Sequence, residues 1–265
     1  MSGPPRPGYR FIIALLVGFA GFSMGLNFFA VGPIVPLVMD DLGINNSAAS
    51  LLTGLPFFVH IVFAIPASML VGRVGLKKLI ALGTLVNATP LLTFVAVDSF
   101  PLLLALRALF GCGLILFFLA LGPMLMQWFQ ARELPLVNGI FIIATNVGIS
   151  TSAFVVIPLS KVIRWEGSLS VFGAVALLAA ACWLAFGRAR IGLRPTESHP
   201  SIERVWRVLR SRNTLLVGAA DAGPLALLTV ANAWLPTFYQ QHGMSLAKAG
   251  ALMGLFSLSG VAALV

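Results

Sequence analysis

Two long apolar runs, roughly 47–71 and 79–97, meet at one short loop, Gly72-Arg73-Val74-Gly75-Leu76-Lys77-Lys78. Each run is long enough to cross the ~30 Å hydrocarbon core of a bilayer as a helix. In lipid a chain must satisfy its own backbone polar groups, so such runs become helices and the pair becomes a membrane hairpin. Three cations sit at its tip. Cytoplasmic loops carry the Lys/Arg excess, so this tip is expected to face the cytoplasm. Gly72 and Gly75 are expected to let the backbone turn there without a Cβ penalty.

The same alternation continues along the chain. Apolar spans are expected at about 11–39, 47–71, 79–97, 102–126, 137–159, 169–186, 214–236 and from 246 to the end. The first is too long for a signal-peptide core and lacks a following A-x-A site, so it reads as a retained span. Trp128-Phe129 reads as an aromatic interface anchor. Arg6, Arg10, Arg73, Lys77, Lys78, Arg132, Arg188, Arg190, Arg194, Arg204, Arg207, Arg210 and Arg212 are 13 of the 17 Lys/Arg, and all fall on one side of this plan. Lys161, Arg164 and Lys248 fall on the other, and Arg107 lies within a span. That asymmetry places the N-terminus in the cytoplasm.

Hydrophobic residues make up 59% of the chain and charged ones 9%, against about a quarter charged in a soluble domain. A soluble fold is therefore excluded. The net charge of +9 could suggest nucleic acid, but the cations sit in loops between apolar spans, with no aromatic-interleaved basic groove. Cys112 and Cys182 both lie in apolar runs and form no CxxC pair, so no disulfide framework, metal or cofactor is expected. His60, His199 and His242 are far apart, and no HExxH or GxSxG motif is present, which leaves a membrane enzyme without machinery.

The loop at 72–78 resembles the signature between the second and third helices of major facilitator superfamily (MFS) transporters, G-x-L-x-D-R-x-G-R-R/K. Leu70, Arg73, Gly75 and Lys77 match; Ser68, Gly72 and Leu76 depart from it. The resemblance implies a conformational-switch loop of Gly72, Arg73, Gly75 and Lys77. Around Arg107, the run Arg107-Ala108-Leu109-Phe110-Gly111-Cys112-Gly113 resembles the fourth-helix signature R-x-x-Q-G-x-G, with Phe110 in place of the glutamine. It implies an arginine that binds a substrate anion or takes part in coupling. An arginine that snorkels outward or clamps neighbouring helices is the alternative. Residues 233–236 with 243–250, and 128–139, are similar to the cyanate and nitrate porter-like branches.

Span 1 holds Gly25-Leu26, Phe28-Phe29-Ala30 and Gly32-Pro33, and span 4 echoes it with Gly113-Leu114, Phe117-Phe118, Ala120 and Gly122-Pro123. These spans run in opposite directions, as a three-plus-three inverted repeat requires. In MFS transporters the first, fourth, fifth and seventh helices line the central cavity. The resemblance therefore implies Asn27, Arg107, Asn146 and Asn232 as substrate contacts; interhelical hydrogen bonds account for each asparagine equally well. Ser23 shares a face with Asn27, and Ser150 with Asn146.

Asp221 is the one carboxylate placed inside a span, and such a group could carry a coupling proton as access alternates. Asn232 falls on the same face, and Gly223-Pro224 could form a hinge. The alternative puts Asp221 near the cytoplasmic interface. His60 could relay protons, or serve as a helix–helix hydrogen-bonding group. Residues 201–212 place Ile202, Val205, Trp206 and Leu209 at i, i+3, i+4 and i+7, a basic amphipathic helix suited to an anionic lipid surface or to docking on cytoplasmic loops.

The expectation is an all-α polytopic membrane protein: an MFS-like six-helix N-terminal bundle over 1–187, a cytoplasmic linker over 188–213, and the start of a second bundle over 214–265, cut early. Its expected activity is secondary active transport of a small anionic or polar organic solute by alternating access, in the plasma (inner) membrane. The alternative is a non-transporting membrane fragment of such a carrier. Lipid is an expected partner and nucleic acid is not. Solute identity and oligomeric state stay open.

Overall fold

The computed structural model describes residues 8–95, 99–190, 207 and 210–262, and every element among them is helical. Span 1 is two helices, α1 (Tyr9–Phe28) and α2 (Val31–Leu42). The break falls at Phe29-Ala30 for a local reason. Pro33 has no N–H for the carbonyl of Phe29, four residues earlier, and its ring crowds that carbonyl. Gly32 N–H turns back to Phe29 instead, at 3.3 Å.

Helix α3 (Asn46–Val74) follows, its start held by Asn45 Oδ1, which accepts from Ala48 N–H at 2.9 Å. It runs through Gly72, contrary to the expected two-glycine turn. Gly75 alone separates α3 from α4 (Leu76–Val86), at φ 85°, ψ 148°, a conformation open to glycine and strained for other residues. The loop is thus a one-residue joint, and Gly72 is helical.

The span expected over 79–97 is α-helical only in its first half. α4 stops at Val86, four residues before Pro90, and Thr89–Val95 continue as a 3-10 helix. One side of the 3-10 segment packs on protein through Pro90 and Thr93, while Leu92 and Phe94 are exposed on the other. A Cβ on Gly173 would overlap the backbone nitrogen of Leu91.

Helix α5 (Phe100–Trp128) begins on Ser99, whose Oγ accepts from Leu102 N–H at 3.4 Å. Helix α6 (Leu134–Phe186) has 53 residues, and one crossing takes about 20. Ile163 and Arg164 leave helical geometry, so α6 crosses twice in two limbs. The expected outer loop at 161–166 contracts to that bend. Helix α7 (Arg212–Gln241) is unbroken through 223–224 and past Pro236, so the backbone shows no hinge there. α8 (Leu246–Ala262) ends the described chain. The amphipathic helix expected at 201–212 lies largely outside the described residues.

Among the described residues, four stretches are long and apolar enough to cross a membrane: Tyr9–Leu42, Asn46–Ser68, Phe100–Trp128 and Leu134–Phe186. α1 packs against both limbs of α6, and α5 packs against α3 and α4. Span 1 with spans 5 and 6, and span 4 with spans 2 and 3, is the pairing a three-plus-three exchange generates. One buried cluster, with Ile13, Leu79, Phe110, Met124 and Trp183, lies toward the face that carries the N-terminus. A second, with Ile34, Leu52, Val156 and Trp165, lies toward the opposite face. α2 and α6 hold α7 and α8 respectively.

Candidate functional site

The two interrupted spans meet at one place. Asn27 and Val31 flank the α1–α2 break, Pro90 and Thr93 belong to the 3-10 helix, and these line a small cavity with Arg107 of α5. Its volume is about 10 Å³, room for a single water. Asn27 Nδ2 donates to the carbonyls of Ser23 and Phe172, at 2.9 Å each. Asn27 Oδ1 is buried without a partner among the described residues.

Arg107 is 4% exposed, and no carboxylate pairs with it among the described residues. Its Nε donates to the Leu52 carbonyl at 2.8 Å and its Nη2 to the Phe28 carbonyl at 3.3 Å. Both acceptors are orphans of their own helices. Leu52 stands four residues before Pro56, which has no N–H to offer, and Phe28 is the last residue of α1. Gly111, one turn along α5, lets that face approach Pro56: a Cβ there would lie 2.6 Å from the Pro56 carbonyl oxygen. Phe110, at the glutamine position of the signature, is buried beneath the guanidinium, 5.2 Å from ring centroid to Cζ. A guanidinium has five N–H donors. Two are committed to these carbonyls, and Asn27 Oδ1 gives the cavity an acceptor. The arrangement can hold one water, and it can meet an anionic or polar group if the cavity widens.

The other expected contacts do not line this cavity. Asn146 is partly exposed on α6 and donates to the Ile142 carbonyl of its own helix at 3.1 Å. Asn232 is buried on α7, where its Oδ1 accepts from Ser257 Oγ of α8 at 3.3 Å. The Asn232 backbone lies directly against Gly32 of α2. Asp221 lies on α7, and its side chain, like that of Arg73, is outside the described set. Lys77 is partly exposed at the start of α4. His60 meets the Phe118 ring edge-on, centroids 5.9 Å apart. Cys112 and Cys182 are free and partly buried.

One charged cluster has no counterpart in the sequence expectations. At the α6 bend Glu166 is buried, and Arg164 reaches it at 2.9 Å. Arg164 also contacts Asp41 at the end of α2, at 3.1 Å, and Asp41 accepts from Trp165 Nε1 at 3.1 Å. Arg164 has φ 61°, a strained value for a side-chain-bearing residue. The hydrogen bond and charge of Glu166, then the charge of Asp41, raise its pKa above the ordinary arginine value. The cluster fastens α2 to the bend. Nothing in the spacing of Asp41 and Glu166 announces the pairing, which depends on the two limbs of α6 folding back beside α2.

The sequence profile of the Major Facilitator Superfamily matches residues 17–265. Uncharacterized protein Cj0987c of Campylobacter jejuni is 30% identical over 239 residues, covering 89% of this chain and 72% of that protein. Uncharacterized transporter YycB of Bacillus subtilis is 26% identical over 252 residues, 91% of this chain and 59% of its own length. Probable nitrate transporter NarT of Staphylococcus aureus is 22% identical over 175 residues, 66% and 43% respectively. The chain thus spans well under two thirds of the latter two.

Proposed function

This chain belongs to the Major Facilitator Superfamily, and from that premise we propose that the protein is a secondary active carrier moving a small solute by alternating access. The profile match over residues 17–265 carries the reading, and the words transporter and nitrate transporter in two relatives' names support transport rather than catalysis. Arg107 is a buried cation with no carboxylate partner among the described residues, which favours an anionic or polar organic solute. Nitrate is the first anion to test. Uptake of nitrate and of small organic acids into proteoliposomes holding the protein should exceed that into empty vesicles, and equal uptake across the panel would reject an anionic solute.

In this proposal the N-terminus is cytoplasmic, the membrane is the plasma (inner) membrane, residues 1–187 form one rocking bundle, 188–213 link it, and 214–265 open the second. The contact of Gly32 with the Asn232 backbone then closes the outer end between α2 and α7. The orientation can be checked with single cysteines in a Cys112→Ser, Cys182→Ser background. In intact cells Lys78→Cys should be shielded from an impermeant thiol reagent, while Asp40→Cys and Gln241→Cys should be labelled. The reverse pattern would invert the topology.

Proton coupling is assigned to Asp221, nine residues on from Arg212 and so about 13 Å along α7. Asp221→Asn should leave solute exchange across the membrane intact and abolish proton-driven accumulation, because the amide cannot ionise near neutral pH. Normal accumulation by this variant under a measured proton gradient would reject the assignment.

A further inference from the structure

At the face that carries the N-terminus, the start of α1, the end of α5 and the segment after α6 join in a cluster that shares no residue with the Arg107 cavity. Tyr9 Oη donates to the Phe186 carbonyl, and Trp128 Nε1 donates to the Arg188 carbonyl at 2.8 Å. The two rings lie side by side, centroids 5.6 Å apart. Arg188 sits over the Tyr9 ring with Cζ 4.5 Å from the centroid, and Arg190 over the Trp128 ring at 5.3 Å. Arg190 is further fixed by Gln127, whose Oε1 accepts from the Arg190 backbone N–H at 3.1 Å and whose carbonyl accepts from Nη1 at 3.4 Å.

Both arginines are exposed. A guanidinium that rests its face on a ring keeps its N–H edges free for in-plane acceptors. Among the described residues Glu133 does not compete, because it is already paired with Arg10 at 2.8 Å. Two guanidiniums held on neighbouring rings, each with donors unspent among the described residues, suit the tetrahedral oxygens of a phosphate. Their setting decides which phosphate. Tyr and Trp mark the membrane–water boundary. In the adjoining turns Phe11 and Leu15 of α1, and Leu184 and Phe186 of α6, are exposed apolar side chains, a surface that would meet acyl chains in a bilayer. A headgroup at the arginines would therefore be continuous with a surface suited to its tails.

We infer that Arg188 and Arg190, stacked on Tyr9 and Trp128, form a binding site for the phosphate of an anionic phospholipid. The site fastens the first residues after α6 to the bundle, and it depends on neither the orientation nor the solute proposed above.

The test uses the purified protein in mild detergent, with lipid retention read by native mass spectrometry. Phosphatidylglycerol should be retained over phosphatidylcholine, and Arg188→Gln/Arg190→Gln should cut that preference by about tenfold. Arg188→Lys/Arg190→Lys keeps the charge but loses the planar stack, so it should lose most of the preference too. The lysine variant decides the matter if the glutamine variant fails to purify. Unchanged preference in either variant would overturn the site. Inorganic phosphate at millimolar concentration should neither displace the lipid nor raise the melting temperature; equal stabilisation by phosphate alone would overturn the lipid assignment.

Discussion

Arg107→Ala should lower the thermal midpoint of the purified protein, and this loss should be present without any solute. The side chain supplies hydrogen bonds to two carbonyls that their own helices leave open, Leu52 and Phe28. Alanine would leave both acceptors buried and unpaired. Each such group costs about 1–3 kcal/mol, so the expected destabilisation is roughly 2–6 kcal/mol. Transport would fall with it, so a transport assay alone cannot separate a clamp from a solute contact.

A double-mutant cycle does separate them. Pro56→Ala restores an N–H four residues after Leu52, so the Leu52 carbonyl regains a helical partner. Arg107→Ala should then cost less in the Pro56→Ala background than in the wild type, with a coupling of about 1 kcal/mol. The packing cost of replacing Pro56 beside Gly111 appears in both arms and cancels. Strictly additive midpoints would exclude the clamp at Leu52. A normal midpoint with lost uptake in Arg107→Ala would instead leave the residue to solute binding alone.

The spans were legible because lipid admits few backbone solutions for an apolar run, and hydropathy reports the run directly. Their interruptions were less so, although the cause was on view. Pro33 and Pro90 each stand four residues after the carbonyl at which an α-helix ends or breaks, Phe29 and Val86. Prolines are tolerated in membrane helices when neighbours supply partners, so their presence alone does not tell a broken span from a kinked one. α3 carries Pro56 and Pro66 and stays helical. For Pro56 the neighbour is Arg107, and that pairing joins residues 55 apart in sequence. The resemblance marked Arg107, Gly111 and Gly113 without giving a reason for them. The reason visible in the structure is contact of α5 with α3 and α4. Of the four implied cavity residues, Asn27 and Arg107 line a common space. Glu166 was unreadable, because its burial comes from a bend that hydropathy reports as an ordinary polar loop.

Gly148→Leu should remove the protein from the membrane fraction altogether. The first limb of α6 and α1 cross backbone against backbone. A Cβ on Gly148 would overlap the Phe22 carbonyl oxygen and lie 2.9 Å from Leu26 N, and one on Gly25 would overlap the Thr145 carbonyl oxygen. Backbone cannot step aside as a flexible side chain can. In lipid there is little hydrophobic gain in bringing helices together, so close van der Waals contact of this kind holds the bundle. Gly148→Ala, one methyl group, should already cost about 1–3 kcal/mol. Leucine would push α1 off α6, and the damage would reach the candidate site. Asn27, two residues beyond Gly25, would lose its 2.9 Å bond to the Phe172 carbonyl on the second limb. The Phe28 carbonyl would also move away from Arg107. Gly139→Leu on the same limb is the control, because a Cβ there meets nothing within 4 Å. Membrane yield and size-exclusion profile should be near wild type for Gly139→Leu, reduced for Gly148→Ala and lost for Gly148→Leu. A monodisperse Gly148→Leu protein with a wild-type midpoint would show that α1 and α6 do not meet at this crossing.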